Sequence, residues 1–227
     1  MPIPDNYSAP VYLSAKDRAF RQIQEWIIDG TLHAGEKISD IELAKAIGIS
    51  RTPVREALQM LSFQGFLSMK PGVATIVSAV DSDDISKVFP PLAVLEGLAA
   101  ELAIPVITEK DIAVLRDLNT VFQDTIPSGD AFKALKVDEE FHATLTRLCD
   151  NSYLENMITN LQAHVRRLFF QQAIVLTEES VAEHAKLIDA LEQHDTKTAS
   201  YYAKENWLRP IRDYTERNQA AGLSDGT

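Results

Sequence analysis

LAKAIGISRTPVREAL, residues 43–58, decides the fold of the N-terminal part of this chain. Gly48 is placed to end a short helix, because glycine readily takes the left-handed conformation that closes a helix. Ser50 can cap a second helix, which runs to about Gln64. Pro53 falls in the first turn of that second helix, where the missing N–H costs nothing. The segment therefore predicts two short helices joined by a tight turn.

The flanking sequence extends this pattern on both sides. A helical apolar periodicity begins at Ser14 and stops at Gly30. SDIE, residues 39–42, is a capping-box pattern that starts the first of the two short helices. Strand-like runs follow at 66–69 and 75–78, with turn residues between them. Helix, helix, turn, helix and hairpin is the order of a winged helix-turn-helix.

The charge is divided unequally along the chain. Residues 1–80 carry eight basic and eight acidic residues, whereas residues 81–227 carry 14 basic and 25 acidic residues and account for the whole net charge of −11. Such asymmetry indicates a division of labour between parts of a chain. We therefore expect three parts, namely a flexible arm at 1–13, a DNA-binding domain at 14–80 and an acidic domain at 81–227.

The remaining bulk properties suggest an ordinary cytoplasmic protein. Hydrophobic residues make up 45% of the chain, enough to bury a core. No apolar run reaches the roughly 18 residues that cross a bilayer, and the first residues lack the features of a signal peptide. The single cysteine, Cys149, cannot form an internal disulfide, which favours a reducing compartment. We expect no membrane partner.

Beyond Asp84 the sequence predicts only helices, so the fold class is mainly α. Helix breaks are expected at Pro90-Pro91, at Pro105, at Pro127 with Gly129, and at Asn151. The predicted helices are 91–104, 109–126, 129–149, 152–175, 178–193 and 196–217.

Two arginines make the helix after Gly48 a candidate for reading DNA. Arg51 and Arg55 lie one turn apart on one face, and each guanidinium can bind guanine or clamp a phosphate. Ser50 and Thr52 add hydroxyls at a helix N-terminus, which itself attracts phosphate. The alternative is that the arginines are solvated charges. The flanking turn and hairpin favour DNA binding, because several levels of pattern agree.

The acidic domain contains a second constellation. Asp138 and His142 are four residues apart on one predicted helix and so point the same way, and His184 lies near the start of a later helix. A carboxylate and imidazoles brought together suit a divalent metal ion. From the residues alone, a surface or capping pair is the commoner arrangement, and both interpretations stay open.

Residues 19–77 closely resemble the winged helix-turn-helix of the GntR family of bacterial regulators. The matching segments are IIDGTL at 27–32, the quoted stretch at 43–58 and FQGFL at 63–67. Ile41 departs from the pattern, because some members of the FadR group have an arginine there.

The resemblance implies contacts with double-stranded operator DNA. It assigns them to Arg51, Thr52 and Arg55, and it brings Gly72 of the wing to the minor groove. We add Lys70, which begins the same turn, and Ser50 to this surface.

The helical part resembles the FCD ligand-binding domain of the FadR subfamily. LEGLAAELA at 95–103, DEEFH at 138–142 and EHAKLIDAL at 183–191 match its helices. The resemblance implies that Asp138, His142 and His184 hold a divalent metal, with zinc the first expectation and nickel or manganese as alternatives.

Two positions depart from the FCD pattern. Asn206 takes the place of a third histidine, and its carbonyl oxygen can also be a ligand, so the site either keeps a metal with altered preference or binds effector without one. Leu92 replaces an arginine that binds acidic effectors in relatives. Arg166 and Arg167 can supply that positive charge instead, or they face solvent or a partner subunit.

These expectations describe a non-enzymatic regulator, a repressor on resemblance, controlled by a small organic acid. It acts as a homodimer on a pseudo-palindromic operator. A metal-dependent hydrolase built on the same cluster is the first alternative, but no general base, nucleophile elbow or phosphate loop accompanies the cluster. An architectural DNA-binding protein without an effector is the second.

Overall fold

The computed structural model describes residues 13–70, 74–80, 84–170 and 176–220 of the 227. The chain divides into two compact units, Met1–Val80 and Asp81–Thr227. The predicted class, a winged helix-turn-helix followed by an all-α bundle, is confirmed. Of the expected arm at 1–13, only Leu13 belongs to the described residues.

The described residues of the first unit form three helices and a small sheet. Its elements are α1 (Ala15–Ile28), β1 (Lys37–Ile38), α2 (Asp40–Ile47), α3 (Arg51–Phe63), β2 (Leu67–Lys70) and β3 (Ala74–Val77). The strands are antiparallel in the order β1-β3-β2. Strand β1 was not predicted, because two residues are too few to show alternation; it forms only because Lys37 and Ile38 pair with Ile76 and Thr75 of β3.

Local chemistry places the helices of this unit. The Ser39 side chain accepts the backbone N–H of Glu42 and so caps α2, and Gly48 ends α2 with a φ of 74°. Ser50 occupies the N-cap position of α3, as expected, but its side chain makes no capping hydrogen bond. The apolar faces of α1 and α3 then pack together, with Ile23 and Val54 fully buried.

The second unit is a bundle of helices in its described part. They are α4 (Asp84–Ala103), α5 (Glu109–Thr125), α6 (Ala131–Leu148), α7 (Ser152–Phe170), α8 (Glu178–Glu192) and α9 (Thr196–Ala220). Its core gathers alanines and larger apolar residues from α4, α5, α6, α8 and α9, among them Ala100, Leu115, Phe141, Leu187 and Ala199. No helix in the described ranges is long and apolar enough to cross a membrane.

The predicted helix break at Pro90-Pro91 is wrong. Helix α4 begins at Asp84 and passes through both prolines. A proline inside a helix forfeits one backbone hydrogen bond, but Ile85, Phe89 and Leu92 on the same helix are almost completely buried. Packing of this face outweighs the local preference for a break.

We expect the core of the first unit to depend on Leu61. Leu61 is fully buried, whereas Phe63, two residues later on α3, is 93% exposed. Leu61→Ala should lower the free energy of unfolding by about 2–5 kcal/mol, while Phe63→Ala should change it by less than about 0.5 kcal/mol. Urea denaturation followed by circular dichroism measures both. Equal effects of the two substitutions would contradict this packing.

Candidate nucleic-acid interface and metal centre

The start of α3 presents the predicted DNA-reading residues together on one exposed surface. Arg51 is the first residue of α3 and Arg55 lies one turn further, with side chains 48% and 61% exposed. Ser50 and Thr52 are exposed beside them. The missing cap bond leaves the Ser50 hydroxyl available for a phosphate oxygen.

Asp40, which the sequence argument overlooked, binds both arginines. Its carboxylate accepts from Arg51 Nη2 at 3.0 Å and 3.2 Å and from Arg55 Nε at 2.5 Å. The hydrogen bond from Arg55 is the largest cause of the lowered pKa of Asp40. Asp40 is the first residue of α2 and lies 11 residues before Arg51, so the packing of α2 with α3, and no spacing in the sequence, brings it to the arginines.

The remaining wing residues are less fully described. Lys70 is the last residue of β2, and Gly72 lies outside the described residues. Their contacts with DNA stay predictions.

The second unit brings Asp138, His142 and His184 together. Asp138 and His142 lie one turn apart on α6 and His184 lies on α8, all three buried. One potential ligand atom from each lies within 4.8 Å of the others. Phe141 stacks on the His184 ring with their centroids 3.9 Å apart, which fixes the plane of that imidazole.

Asn119 of α5 orients His184. Its Nδ2 donates to the Val181 carbonyl at 3.1 Å, so its Oδ1 is left to accept from His184 Nδ1 at 3.2 Å. The proton of a neutral His184 therefore sits on Nδ1, and the lone pair sits on Nε2. His184 Nε2 lies 3.6 Å from Asp138 Oδ1.

Glu96 of α4 has the matching role for His142. Its Oε2 lies 3.5 Å from His142 Nδ1, and its Oε1 accepts from Gln162 Nε2 at 3.0 Å. Glu96 is 1% exposed. A charged residue on the apolar face of α4, between Ala93 and Ala100, is the sequence signal that could have pointed to it.

Two imidazole nitrogens are left over. Within the described part of the chain, His142 Nε2 and His184 Nε2 are buried and have no hydrogen-bond partner. A buried polar atom without a partner is costly and rare, and each instance calls for an explanation. Both atoms belong to the same cluster as the Asp138 carboxylate, as ligands around a cation would.

The electrostatics of the cluster follow from burial. Burial raises the pKa of Asp138 to about 6. Burial and the neighbouring His142 lower the pKa of His184 well below its usual value. Burial alone would lower the pKa of His142, but the charge and hydrogen bond of Glu96, with a smaller effect of the Asp138 charge, outweigh it and leave the pKa raised.

Asn206 of α9 completes the surroundings of the cluster. It is 7% exposed, its Nδ2 donates to Glu183 Oε2 at 3.1 Å, and Arg209 Nε donates to Glu183 Oε1 at 2.8 Å. Glu183 and Arg209 carry no spacing signal of their own, because their roles depend on how α8 packs against α9.

A small cavity adjoins the cluster. Its volume is about 30 Å³, and its polar lining comes from Asp138, Ser180 and Asn206, with apolar side chains such as Phe89 and Trp207 around them. Such a volume holds about two water-sized molecules.

The arginines proposed for an effector lie outside this lining. Neither Arg166 nor Arg167 is among the described residues that line the cavity. Arg166 pairs with Glu139 at 3.1 Å, and Arg167 is 2% exposed, where burial lowers the pKa of its guanidinium despite the charge of Asp84. Their effector role stays a prediction.

Both units of the chain match known protein families. Residues 15–77 match the family described as bacterial regulatory proteins, gntR family, and residues 89–207 match the FCD domain. An HTH-type transcriptional regulator in an unstable DNA locus of Streptomyces ambofaciens is 30% identical over 209 residues, which cover 88% of this chain and 85% of that protein.

Two further proteins are more distant. The gluconate operon transcriptional repressor of Bacillus subtilis is 22% identical over 172 residues, 76% of this chain and 70% of that protein. The solved structure of E. coli McbR/YncC shares the fold with a TM-score of 0.75 at 24% identity, over 91% of this chain and 99% of that one.

Proposed function

The chain belongs to the GntR family of bacterial regulatory proteins and carries an FCD domain, and we propose that it is a homodimeric repressor whose operator affinity is set by an organic acid bound beside a divalent metal ion. It is a DNA-binding transcriptional regulator and not an enzyme. The repressor role is supported by the name of the gluconate operon relative.

The observation that carries the effector site is the pair of buried nitrogens without partners. His142 Nε2 and His184 Nε2, together with the Asp138 carboxylate, form a donor set that fits a divalent metal. Asn206 offers a fourth donor. Zinc is the first expectation for such a set, with nickel and manganese as alternatives. When bound, the ion supplies the positive charge that attracts the carboxylate of an effector.

The size of the cavity supports the regulatory part of the proposal. An organic acid larger than two or so water molecules enters the cavity of about 30 Å³ only if the surrounding helices move apart. Such a ligand binds the expanded bundle in preference to the closed one. This difference in affinity is what a ligand needs in order to shift a conformational equilibrium.

Dimer formation is supported by an exposed apolar stripe on α4. Val94, Leu98 and Leu102 recur every four residues and are 61%, 40% and 39% exposed, so they lie on one face of the helix. A twofold axis through this face would bury the stripe of each copy against the other.

Removing either reading arginine should weaken binding to the operator. Against a duplex selected from random sequence by the wild-type protein, Arg51→Ala and Arg55→Ala should each cost about 1–3 kcal/mol of binding free energy. Arg21→Ala, which removes an exposed arginine on α1, is the control. Fluorescence anisotropy measures all three. Wild-type affinity in both test variants, with the fold intact, would disprove the assignment.

Removing either buried histidine should abolish metal binding. His142→Ala and His184→Ala should lower the metal content of the purified protein and remove the thermal stabilisation by Zn²⁺, Ni²⁺ or Mn²⁺, which is about 2.7 kcal/mol at a hundredfold excess over Kd. His194→Ala, at an exposed histidine, is the control.

Organic acids should stabilise the metal-loaded protein in the same assay. Stabilisation by an acid that survives chelation of all metal would instead establish a metal-independent effector site, and no response to metal or acid would contradict both versions.

A charge in the α4 stripe should dissociate the dimer. Leu98→Glu buries a carboxylate in the proposed interface, so the dimer should weaken at least about tenfold. Val114→Glu on α5 is a matched control, because Val114 is 41% exposed. Sedimentation velocity measures the change. A dimer that withstands Leu98→Glu and not Val114→Glu would place the interface elsewhere.

A further inference from the structure

The amide of Asn206 can serve as a metal ligand in only one of its two orientations. A side-chain amide has an oxygen that accepts hydrogen bonds and binds cations, and an NH₂ group that does neither. The two ends are nearly equal in shape, so packing alone does not choose between them. The choice depends on the hydrogen-bond partner on the far side of the amide.

That partner is Glu183. Its Oε2 accepts from Asn206 Nδ2 at 3.1 Å. A carboxylate is an acceptor only, so a flipped amide would turn its oxygen toward another oxygen and lose this bond. Asn206 Nδ2 is therefore held by Glu183, and Oδ1, the other end of the amide, points away from Glu183.

Glu183 is in turn held by Arg209. The guanidinium donates to Glu183 Oε1 at 2.8 Å, to Asp213 Oδ2 at 2.7 Å and to Ser180 Oγ at 2.6 Å. All three of its nitrogens are used, and the Arg209 and Glu183 side chains are 11% and 13% exposed. A charge-assisted network of this kind, shielded from solvent, holds the carboxylate in one orientation.

The free end of the amide lies against the metal cluster. Trp207, the next residue of α9, packs against His142 with their ring centroids 4.6 Å apart. Asp138 and Asn206 also line the same cavity. Because Glu183 takes Nδ2, the oxygen is the end of the amide that is left for the cluster.

We propose that Glu183 is a positioning residue that turns Asn206 Oδ1 toward the cation, and that Asn206 thereby shifts the site's preference from zinc toward manganese. The proposal rests on the metal site put forward above. Two imidazole nitrogens, a carboxylate and an amide oxygen make a donor set richer in oxygen than one with a third imidazole. Imidazole suits zinc and nickel, whereas carboxylate and carbonyl oxygens suit manganese.

A double-mutant cycle on the full chain tests the positioning role. Mn²⁺ affinity, measured by electron paramagnetic resonance of the free ion, should fall about 10–100-fold in Glu183→Gln, the usual range for loss of a residue that orients a ligand. In an Asn206→Ala background the same substitution should change affinity less than about twofold, because Glu183 then has no ligand to orient. A merely structural Glu183 would lower affinity equally in both backgrounds and would overturn the proposal.

The matched control is Glu205→Gln. Glu205 also pairs with an arginine of α9, with Arg212 Nη2 at 2.7 Å, but no described contact joins it to Asn206. Its loss should leave Mn²⁺ affinity unchanged. Thermal unfolding without metal shows whether each variant folds. If Glu183→Gln fails to fold, Asn206→His alone tests whether Asn206 is a metal ligand.

Asn206→His tests the specificity role. The ratio of Zn²⁺ to Mn²⁺ affinity should rise about tenfold or more when the oxygen donor becomes an imidazole. An unchanged ratio would show that Asn206 is not a ligand and would overturn the proposal even though the metal site stands. A wild-type protein that binds none of these metals would overturn the metal site and this proposal together.

Discussion

The need to satisfy buried polar atoms governs the helical unit. Asp138, His142 and His184 sit in the core, where an isolated charge or an unpaired polar group costs several kcal/mol. The surrounding helices supply a partner for one nitrogen of each imidazole. Asn119 takes one nitrogen of His184, and Glu96 takes one nitrogen of His142. What these partners leave over is a carboxylate and two bare nitrogens that face a common centre.

Every helix of the described bundle contributes to this arrangement. Helix α4 supplies Glu96, α5 supplies Asn119, α7 supplies Gln162 and α9 supplies Asn206, while α6 and α8 carry the three cluster residues. A movement of any one helix would therefore change the distance between donor atoms. Such a site is suited to sensing a ligand, because occupation of the centre is coupled to the packing of the whole unit.

The sequence predicts local features of this protein better than distant ones. Ser39 and Gly48 bound α2 as expected, because capping and left-handed turns depend on a few neighbouring residues. The continuity of α4 through Pro90 was missed, since it depends on burial of its apolar face. In the site, the four-residue spacing of Asp138 and His142 is visible in the sequence. The roles of Asn119 and Glu183 are not visible in the sequence, because each residue hydrogen-bonds a side chain on a different helix.

Two groups of ion pairs in this protein differ in solvent exposure, and therefore in how easily another partner can replace one of their members. Asp40 pairs with Arg51 and Arg55 at the surface, and exposed ion pairs of this kind contribute only about 0–1 kcal/mol. In the proposed DNA complex, a phosphate or guanine would replace the carboxylate at small cost, and without DNA the ion pairs hold the arginines in place. The Glu183–Arg209 pair is shielded, and breaking a buried pair costs about 3–5 kcal/mol. The same two kinds of side chain thus form an exchangeable contact where water reaches them and a permanent support where it does not.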